Sequence, residues 1–186
     1  LDRTAPRDVE LLLARAYVEE MRAAPDAVAG TVQRREVSSS IPPEVTLAQE
    51  EARQLKVAAR VYQQVLAIDG SHIEANLRLA RVHARLGQLE AAETRLRATQ
   101  KLRCDRRQKY LVSLFLADVL ERRGRRADAK AAYQSAQDTW PDAQASAIGL
   151  ARVRALDGAF DEARAALRIV RKPPRPGVML DRSDPW

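Results

Sequence analysis

Three glycines recur along the chain at nearly constant spacing, and this repeat constrains the fold more than any other feature. Gly87, Gly124 and Gly158 are separated by 37 and 34 residues. A large residue and an alanine precede each glycine at one common offset, as Leu79-Ala80, Leu116-Ala117 and Leu150-Ala151. A further alanine follows each glycine at another common offset, at positions 92, 129 and 163. Matches at this many positions indicate tandem copies of one structural unit.

Each copy is predicted to be a pair of antiparallel helices joined at its glycine. Glycine ends a helix readily, because it adopts the left-handed backbone conformation without a Cβ clash. The alanines let the two helices approach closely, and a bulky residue one turn later fills the space beside them, namely Leu96, Tyr133 or Leu167. Each pair leaves an apolar face that only the next pair can cover, so the core is predicted to form by stacking.

The repeat resembles the tetratricopeptide repeat family over residues 73–176. The middle copy, residues 110–142, carries the clearest match, with Leu116-Ala117, Gly124, Ala129, Tyr133 and Pro141. The chain departs from the family pattern early in the first helix of each copy, where Asn76, Ser113 and Ala147 replace a tryptophan-like residue. The resemblance implies an all-α, right-handed superhelical solenoid of antiparallel helix pairs, with three repeats in residues 71–172.

Residues 1–70 match the repeat only in part. Tyr62 occupies a second-helix position, and a long helix is predicted from about Glu44 to Ile68. The first-helix pattern is matched at Leu13, Ala14 and Tyr17. An irregular segment, at about 25–43, separates the two. This region is either a degenerate repeat with an inserted loop or a set of capping helices.

The C-terminal segment 173–186 is predicted to be an extended, proline-rich tail. Its prolines exclude a long helix, because proline removes a backbone donor and clashes with the preceding turn. The apolar residues Met179, Leu180 and Trp186 are typical of a segment that docks on a surface. We expect the tail to dock on the repeats of its own chain or on another chain, which would allow self-docking or oligomerisation.

The composition offers little for catalysis or for metal binding. One cysteine excludes an internal disulfide and a cysteine-based zinc site, and two histidines leave little for a metal site or a nucleophile–base pair. Basic neighbours of Cys104 favour its thiolate, yet no histidine at a suitable spacing supports catalysis, so we interpret it as a turn residue. His83 is interpreted as a core residue, and His72 as a residue at a turn or helix start. We therefore expect no enzymatic activity, no cofactor and no metal site.

The net charge of +7 invites the hypothesis of an acidic partner or of nucleic acid. Residues 101–130 hold ten basic and four acidic side chains. Most of these basic residues fall in two predicted turns, at 101–109 and 122–126, which a helix of about 17 residues separates by ~25 Å. One continuous basic stripe is therefore not expected, and few aromatic residues are available to stack on bases. Solvated turns are the favoured interpretation, with an acidic protein partner as the first alternative and nucleic acid as the second.

The family resemblance implies a concave groove lined by the first helices of successive repeats. By register the groove residues are Glu74, Leu77, Arg78, Arg81, Leu111, Leu114, Phe115, Asp118, Ile148 and Arg152. Arg81 and Arg152 occupy equivalent positions that flank Asp118. Leu114 and Ile148 are equally compatible with packing between adjacent helices. An apolar floor with a few charges suits an extended or helical peptide.

The sequence thus predicts a non-enzymatic protein–protein interaction scaffold or adaptor that binds a peptide or partner helix, alone or as a subunit of a larger assembly. The alternative is a helical-repeat protein that binds nucleic acid through its basic turns. No apolar run approaches the ~18 residues of a membrane helix. We expect a soluble bacterial chain, either cytoplasmic or extracytoplasmic after removal of an N-terminal signal.

Overall fold

The computed structural model describes residues 5–28, 43–168 and 170, and these residues are helical or lie in turns, without a strand. The helices are α1 (Ala5–Arg22), α2 (Pro43–Ile68), α3 (Ile73–Arg85), α4 (Leu89–Thr99), α5 (Arg106–Arg122), α6 (Arg126–Thr139), α7 (Gln144–Leu156) and α8 (Phe160–Ala166). The predicted all-α class is confirmed. The chain divides into two compact units, residues 1–92 and 93–186. The predicted division at residues 70 and 172 stays a prediction.

In the part of the chain that the structure describes, every helix is too short or too polar to span a bilayer.

The three repeat glycines all lie at helix ends in the left-handed backbone region. Gly87, Gly124 and Gly158 have φ angles of 75°, 75° and 80°. The amide after each glycine closes the turn by donating to a carbonyl five residues earlier, as Arg125 N does to Leu120 O at 2.9 Å. A residue with a Cβ would be strained at this φ, so the glycines at these turns have a direct physical cause.

Two helix starts in the described chain are fixed by side-chain caps. Asp105 accepts from the amide of Gln108 at 2.7 Å, and the Gln108 side chain accepts from the Asp105 amide at 3.0 Å, which completes a capping box. His72 caps α3 by accepting from the Ala75 amide at 3.3 Å. The predicted place of His72 at a helix start is confirmed.

The first unit has a core in which α1 packs on α2 and α2 packs on α3. Buried apolar side chains from all three helices form it, with Ala16, Leu55, Tyr62, Val65 and Leu79 at its centre. Helix α2 covers residues 43–68, which confirms the long helix that the sequence predicts.

The N-terminal residues differ from the predictions in two respects. Residues 25–28 are helical, although the sequence places them in the irregular segment. Ala16, fully buried, is the small residue at the helix contact, whereas Ala14 is exposed and Tyr17 is 44% exposed. The predicted register of α1 was therefore wrong by about half a turn, because alanines occur at both positions and only packing distinguishes them.

In the second unit α5 packs on α6, and α7 packs on both α6 and α8. The alanines that the repeat predicts at the helix contacts are buried, with Ala117 and Ala129 at 0% exposure and Ala151 at 4%. Tyr110 and Trp140 meet at the start of α5 and the end of α6, with ring centroids 6.3 Å apart. This unit therefore shows the predicted packing of helices through alanine.

Candidate functional site

The groove residues predicted in the first unit lie on α3 and differ in exposure. Leu77 is only 2% exposed and belongs to the packed interior. This burial corrects its assignment to a binding surface, because a partner cannot touch a side chain that neighbouring helices cover. Glu74 and Arg78 form an ion pair at 2.6 Å, and Arg81 is half-buried. The charged residues of α3, rather than its leucine, face the surface.

A buried carboxylate holds three helices of the first unit together. Glu20 on α1 accepts from the Tyr62 hydroxyl on α2 at 2.7 Å and from Arg78 Nη1 on α3 at 3.2 Å. Arg78 also lies over the ring of Tyr17, 4.5 Å from its centroid. Burial, and then the hydrogen bond to Glu20, raise the pKa of Tyr62. We call Glu20, Tyr62 and Arg78 the Glu20 cluster.

The groove residues predicted in the second unit separate into a buried and an exposed set. Leu111 and Leu114 are 9% and 6% exposed, so both pack inside the unit and are not available to a partner. Ile148 on α7 is 44% exposed. Phe115 is half-buried, and the side chains of Asp118 and Arg152 are about half exposed. Phe115, Asp118, Ile148 and Arg152 form what we call the α5–α7 surface.

Arg152 is held on this surface by a bidentate ion pair. Its Nε and Nη2 donate to the two carboxylate oxygens of Glu121 at 2.6 and 2.7 Å. The Tyr133 hydroxyl donates to Glu121 at 2.9 Å and accepts from Arg152 at 3.1 Å. Burial acts to raise the pKa of Glu121, but the hydrogen bonds from Arg152 and Tyr133 hold it below its usual value. We call Glu121, Tyr133 and Arg152 the Glu121 cluster.

A glycine inside α7 makes room for this cluster. A Cβ added to Gly149 would lie 2.3 Å from Cε1 of the Tyr133 ring. Because Tyr133 is only 2% exposed, its ring has little space to move aside. Gly149 therefore allows the close approach of α6 and α7 that brings the tyrosine hydroxyl to Glu121.

Asp118 is the acidic residue of the α5–α7 surface. Its ion pair with Arg122 is long, with 3.8 Å between Oδ2 and Nη1. Burial raises the pKa of Asp118, and Arg122 opposes that rise while the charge of Glu121 adds to it. The carboxylate is thus partly desolvated, and its ion pair with Arg122 is longer than a hydrogen bond.

The basic turn at residues 122–126 is partly neutralised by a buried carboxylate. Glu93, 5% exposed, accepts from Arg97 at 2.7 Å, from Arg125 at 2.8 Å, and from Arg123. Burial acts to raise the pKa of Glu93, but the hydrogen bond from Arg97 and the charges of Arg125 and Arg123 lower it. Arg123 and Arg125 are thus paired within the chain, while residues 122–126 are all exposed, which agrees with the interpretation of this segment as a solvated turn.

Cys104 and the histidines carry no sign of reactivity. Cys104 is 9% exposed, its thiol points to the carbonyl of Thr99 at 3.6 Å, and burial raises its pKa. The charge of Lys109 does favour the thiolate, but burial and the charge of Asp105 outweigh it, which agrees with the interpretation of Cys104 as a residue of the turn between α4 and α5. His83 is half-buried and hydrogen-bonded to Gln88 at 2.5 Å, so it lies at the surface rather than in the core. Among the described residues, no group of three or more potential metal ligands occurs.

The predicted docking residues Met179, Leu180 and Trp186 lie outside the described residues, so the tail's role stays a prediction. The Glu20 cluster, the Glu121 cluster and the ion pairs of Glu93 with three arginines were not predicted from the sequence. The sequence does carry a shared spacing for the Glu20 and Glu121 clusters. In each, the glutamate lies four positions after a small buried residue, as in Ala16–Glu20 and Ala117–Glu121. The tyrosine of each cluster also lies four positions after an alanine.

Comparison with known proteins gives a family and a set of similar folds. Family models described as tetratricopeptide repeat match residues 50–114 and 115–176. A crystal structure of MamA protein is 16% identical, covers 92% of this chain and 97% of that chain, and gives a TM-score of 0.58. MamA 41-end from Desulfovibrio magneticus RS-1 is 15% identical, covers 87% of this chain and 93% of that chain, and gives a TM-score of 0.56.

Another crystal structure of MamA is 21% identical, covers 63% of this chain and 67% of that chain, and gives a TM-score of 0.57. At these identities the likeness concerns the fold. A search of curated proteins finds no match.

Proposed function

Because this chain belongs to the tetratricopeptide repeat family, we propose that it is a non-enzymatic scaffold that binds a peptide segment of a protein partner on α5 and α7, the first helices of the repeats in its second unit. The α5–α7 surface carries this proposal. It combines a 44% exposed isoleucine with a half-buried phenylalanine and two partly exposed charges. Such a combination of apolar contact and a few directional polar groups suits peptide recognition.

The Glu121 cluster supports a binding role of this surface rather than a chemical one. Arg152 is fixed by two hydrogen bonds to Glu121, and Leu111 and Leu114 pack beneath the surface. A surface that is held rigid before binding costs less conformational entropy when a partner arrives. The described residues offer no paired nucleophile and base on this surface, so the proposal includes no reaction.

Co-purification tests the proposal with two matched variants. Ile148→Glu places a charge on the α5–α7 surface, whereas Phe160→Glu places the same charge at a 63% exposed position on α8. We expect the partners recovered with the wild-type chain to be lost with Ile148→Glu and retained with Phe160→Glu. Equal recovery with both variants, after circular dichroism has shown that both are folded, would contradict binding at this surface.

A further inference from the structure

The net charge of the chain suggests an acidic partner, but the charges on the α5–α7 surface are distributed differently. Its arginine is already engaged, because Arg152 gives two donors to the Glu121 carboxylate and a third contact to Tyr133. An anionic partner would have to compete with Glu121 for this guanidinium. The formal charge of +7 for the whole chain therefore does not predict the charge that a ligand contacts on the α5–α7 surface.

The acidic side chain of the surface is held less tightly than the basic one. Asp118 is about half exposed and meets Arg122 at 3.8 Å, beyond hydrogen-bond distance. Its pKa is raised, first because it is partly buried, and Arg122 and Arg152 do not cancel that effect. A cation beside Asp118 would stabilise its partly buried carboxylate, whereas an anion would add to the repulsion that Glu121 already exerts.

Apolar side chains lie one turn away on each helix. Phe115 precedes Asp118 by one turn on α5, and Ile148 precedes Arg152 by one turn on α7. Because α5 and α7 pack in the same unit, a ligand that reaches Asp118 also meets apolar surface. Lysine and arginine combine an apolar stem with a charged head, which matches a carboxylate bordered by apolar groups.

We propose that the α5–α7 surface binds a peptide segment that presents a lysine or arginine to Asp118 and an apolar side chain to Phe115 and Ile148. This inference rests on the proposed function and specifies the chemistry of the partner. It reverses the expectation of an acidic partner that the net charge suggests. A charge-assisted hydrogen bond from the ligand to Asp118 then supplies specificity, and the apolar contact supplies buried area.

Selection from a displayed library of random peptides on the intact chain tests the inference. The same selection is made on Asp118→Asn and on Asp161→Asn. Asp161 is a matched control, because it is fully exposed on α8 and also meets an arginine, Arg164, at 3.8 Å. We expect the wild type and the Asp161→Asn variant to enrich lysine or arginine beside an apolar residue, and the Asp118→Asn variant not to do so.

For one enriched peptide, Asp118→Asn should weaken binding about tenfold, as removal of a charge-assisted hydrogen bond does. Thermal unfolding followed by circular dichroism checks the folding of each variant, and Asp118→Ser replaces Asp118→Asn if the latter fails to fold.

Each outcome of the selection is decisive. Enriched acidic peptides, or basic peptides that Asp118→Asn enriches equally well, would overturn the inference and leave the proposed function standing. If no peptide is enriched by any of the three proteins, the proposed function itself is overturned, and the inference fails with it.

Discussion

The Glu20 cluster in the first unit and the Glu121 cluster in the second share one arrangement. In each, a glutamate on the first helix of a pair accepts from a tyrosine hydroxyl on the second helix, at 2.7 Å for Tyr62 and 2.9 Å for Tyr133. An arginine from the next helix along the chain donates to the same carboxylate. Each cluster therefore ties a helix pair to the helix that follows it.

The two clusters differ in the position that supplies the arginine. Arg78 lies two residues before the repeat alanine Ala80, and the equivalent position in the second unit is Gly149. There a side chain would collide with the Tyr133 ring, and the arginine comes instead from Arg152, one residue after the repeat alanine Ala151. Either of two repeat positions can thus supply the arginine that binds the glutamate. Which of them does so depends on where the tyrosine ring lies.

This difference changes how exposed each arginine is. The Arg78 side chain is 24% exposed and the Arg152 side chain 51%. Charge pairs gain strength as water is excluded from them. We infer that the Glu20 cluster acts mainly in stability, whereas the Glu121 cluster also positions a charge on a surface that a partner can reach.

Alkaline pH is expected to destabilise the folded chain through both clusters, and this should be the largest effect. Burial and the neighbouring carboxylates raise the pKa of Tyr62 and of Tyr133. Above pH ~10 the unfolded chain loses these phenolic protons while the folded chain keeps them, so stability is lost as pH rises. Each phenol should cost about 1.4 kcal/mol per pH unit in that range. Urea unfolding at several pH values measures the slope, and Tyr62→Phe should reduce it. An unchanged slope in Tyr62→Phe would contradict the account.

Removal of one hydroxyl from each cluster distinguishes their contributions to stability. Tyr62→Phe should lower the free energy of unfolding by about 2 kcal/mol and Tyr133→Phe by about 1 kcal/mol, both near the range for hydrogen bonds to charged groups. The difference arises because Glu121 keeps two hydrogen bonds from Arg152, whereas Glu20 keeps one from Arg78 at 3.2 Å. Urea unfolding of the two variants measures it. A larger loss for Tyr133→Phe would reverse the comparison.

Gly149→Ala tests why position 152, rather than position 149, supplies the arginine of the Glu121 cluster. The added methyl would overlap the Tyr133 ring, and such overpacking costs about 1–3 kcal/mol, partly offset by the ~1 kcal/mol that alanine gains in a helix. We expect a net loss of about 1 kcal/mol in chemical denaturation. In a Tyr133→Leu background the same substitution should be neutral or stabilising. Stabilisation with Tyr133 intact would show that close approach does not explain the glycine.

Lysine substitutions of the two arginines should produce the smallest effects. Arg152→Lys removes the bidentate contact with Glu121 but affects a half-exposed pair, so a loss of about 0.5 kcal/mol is expected. Arg78→Lys should cost about 1 kcal/mol, because Arg78 is less exposed and also pairs with Glu74. High salt should reduce the effect at Arg152 more than the effect at Arg78. Equal salt dependence of the two variants would argue against the difference in exposure.

The sequence predicts those parts of the fold that depend on local spacing. The left-handed glycines, the buried alanines and the long helix α2 follow from periodicity and backbone sterics. The clusters do not, because they join residues far apart in the chain, such as Glu20 with Tyr62 and with Arg78, and depend on side-chain directions. Of the predicted groove residues, the charged ones, Ile148 and the half-buried Phe115 reach the surface, whereas the leucines are buried because adjacent helices cover them.

A photo-crosslinking amino acid at position 148, introduced in the native organism, shows directly whether a partner binds at the α5–α7 surface. We expect this position to crosslink to a partner segment that carries a lysine or arginine near the attachment point, identified by mass spectrometry. The same probe at the exposed position 160 on α8 should give little or no product. No crosslink from position 148, or the same products from both positions, would contradict the claim that the α5–α7 surface binds the partner.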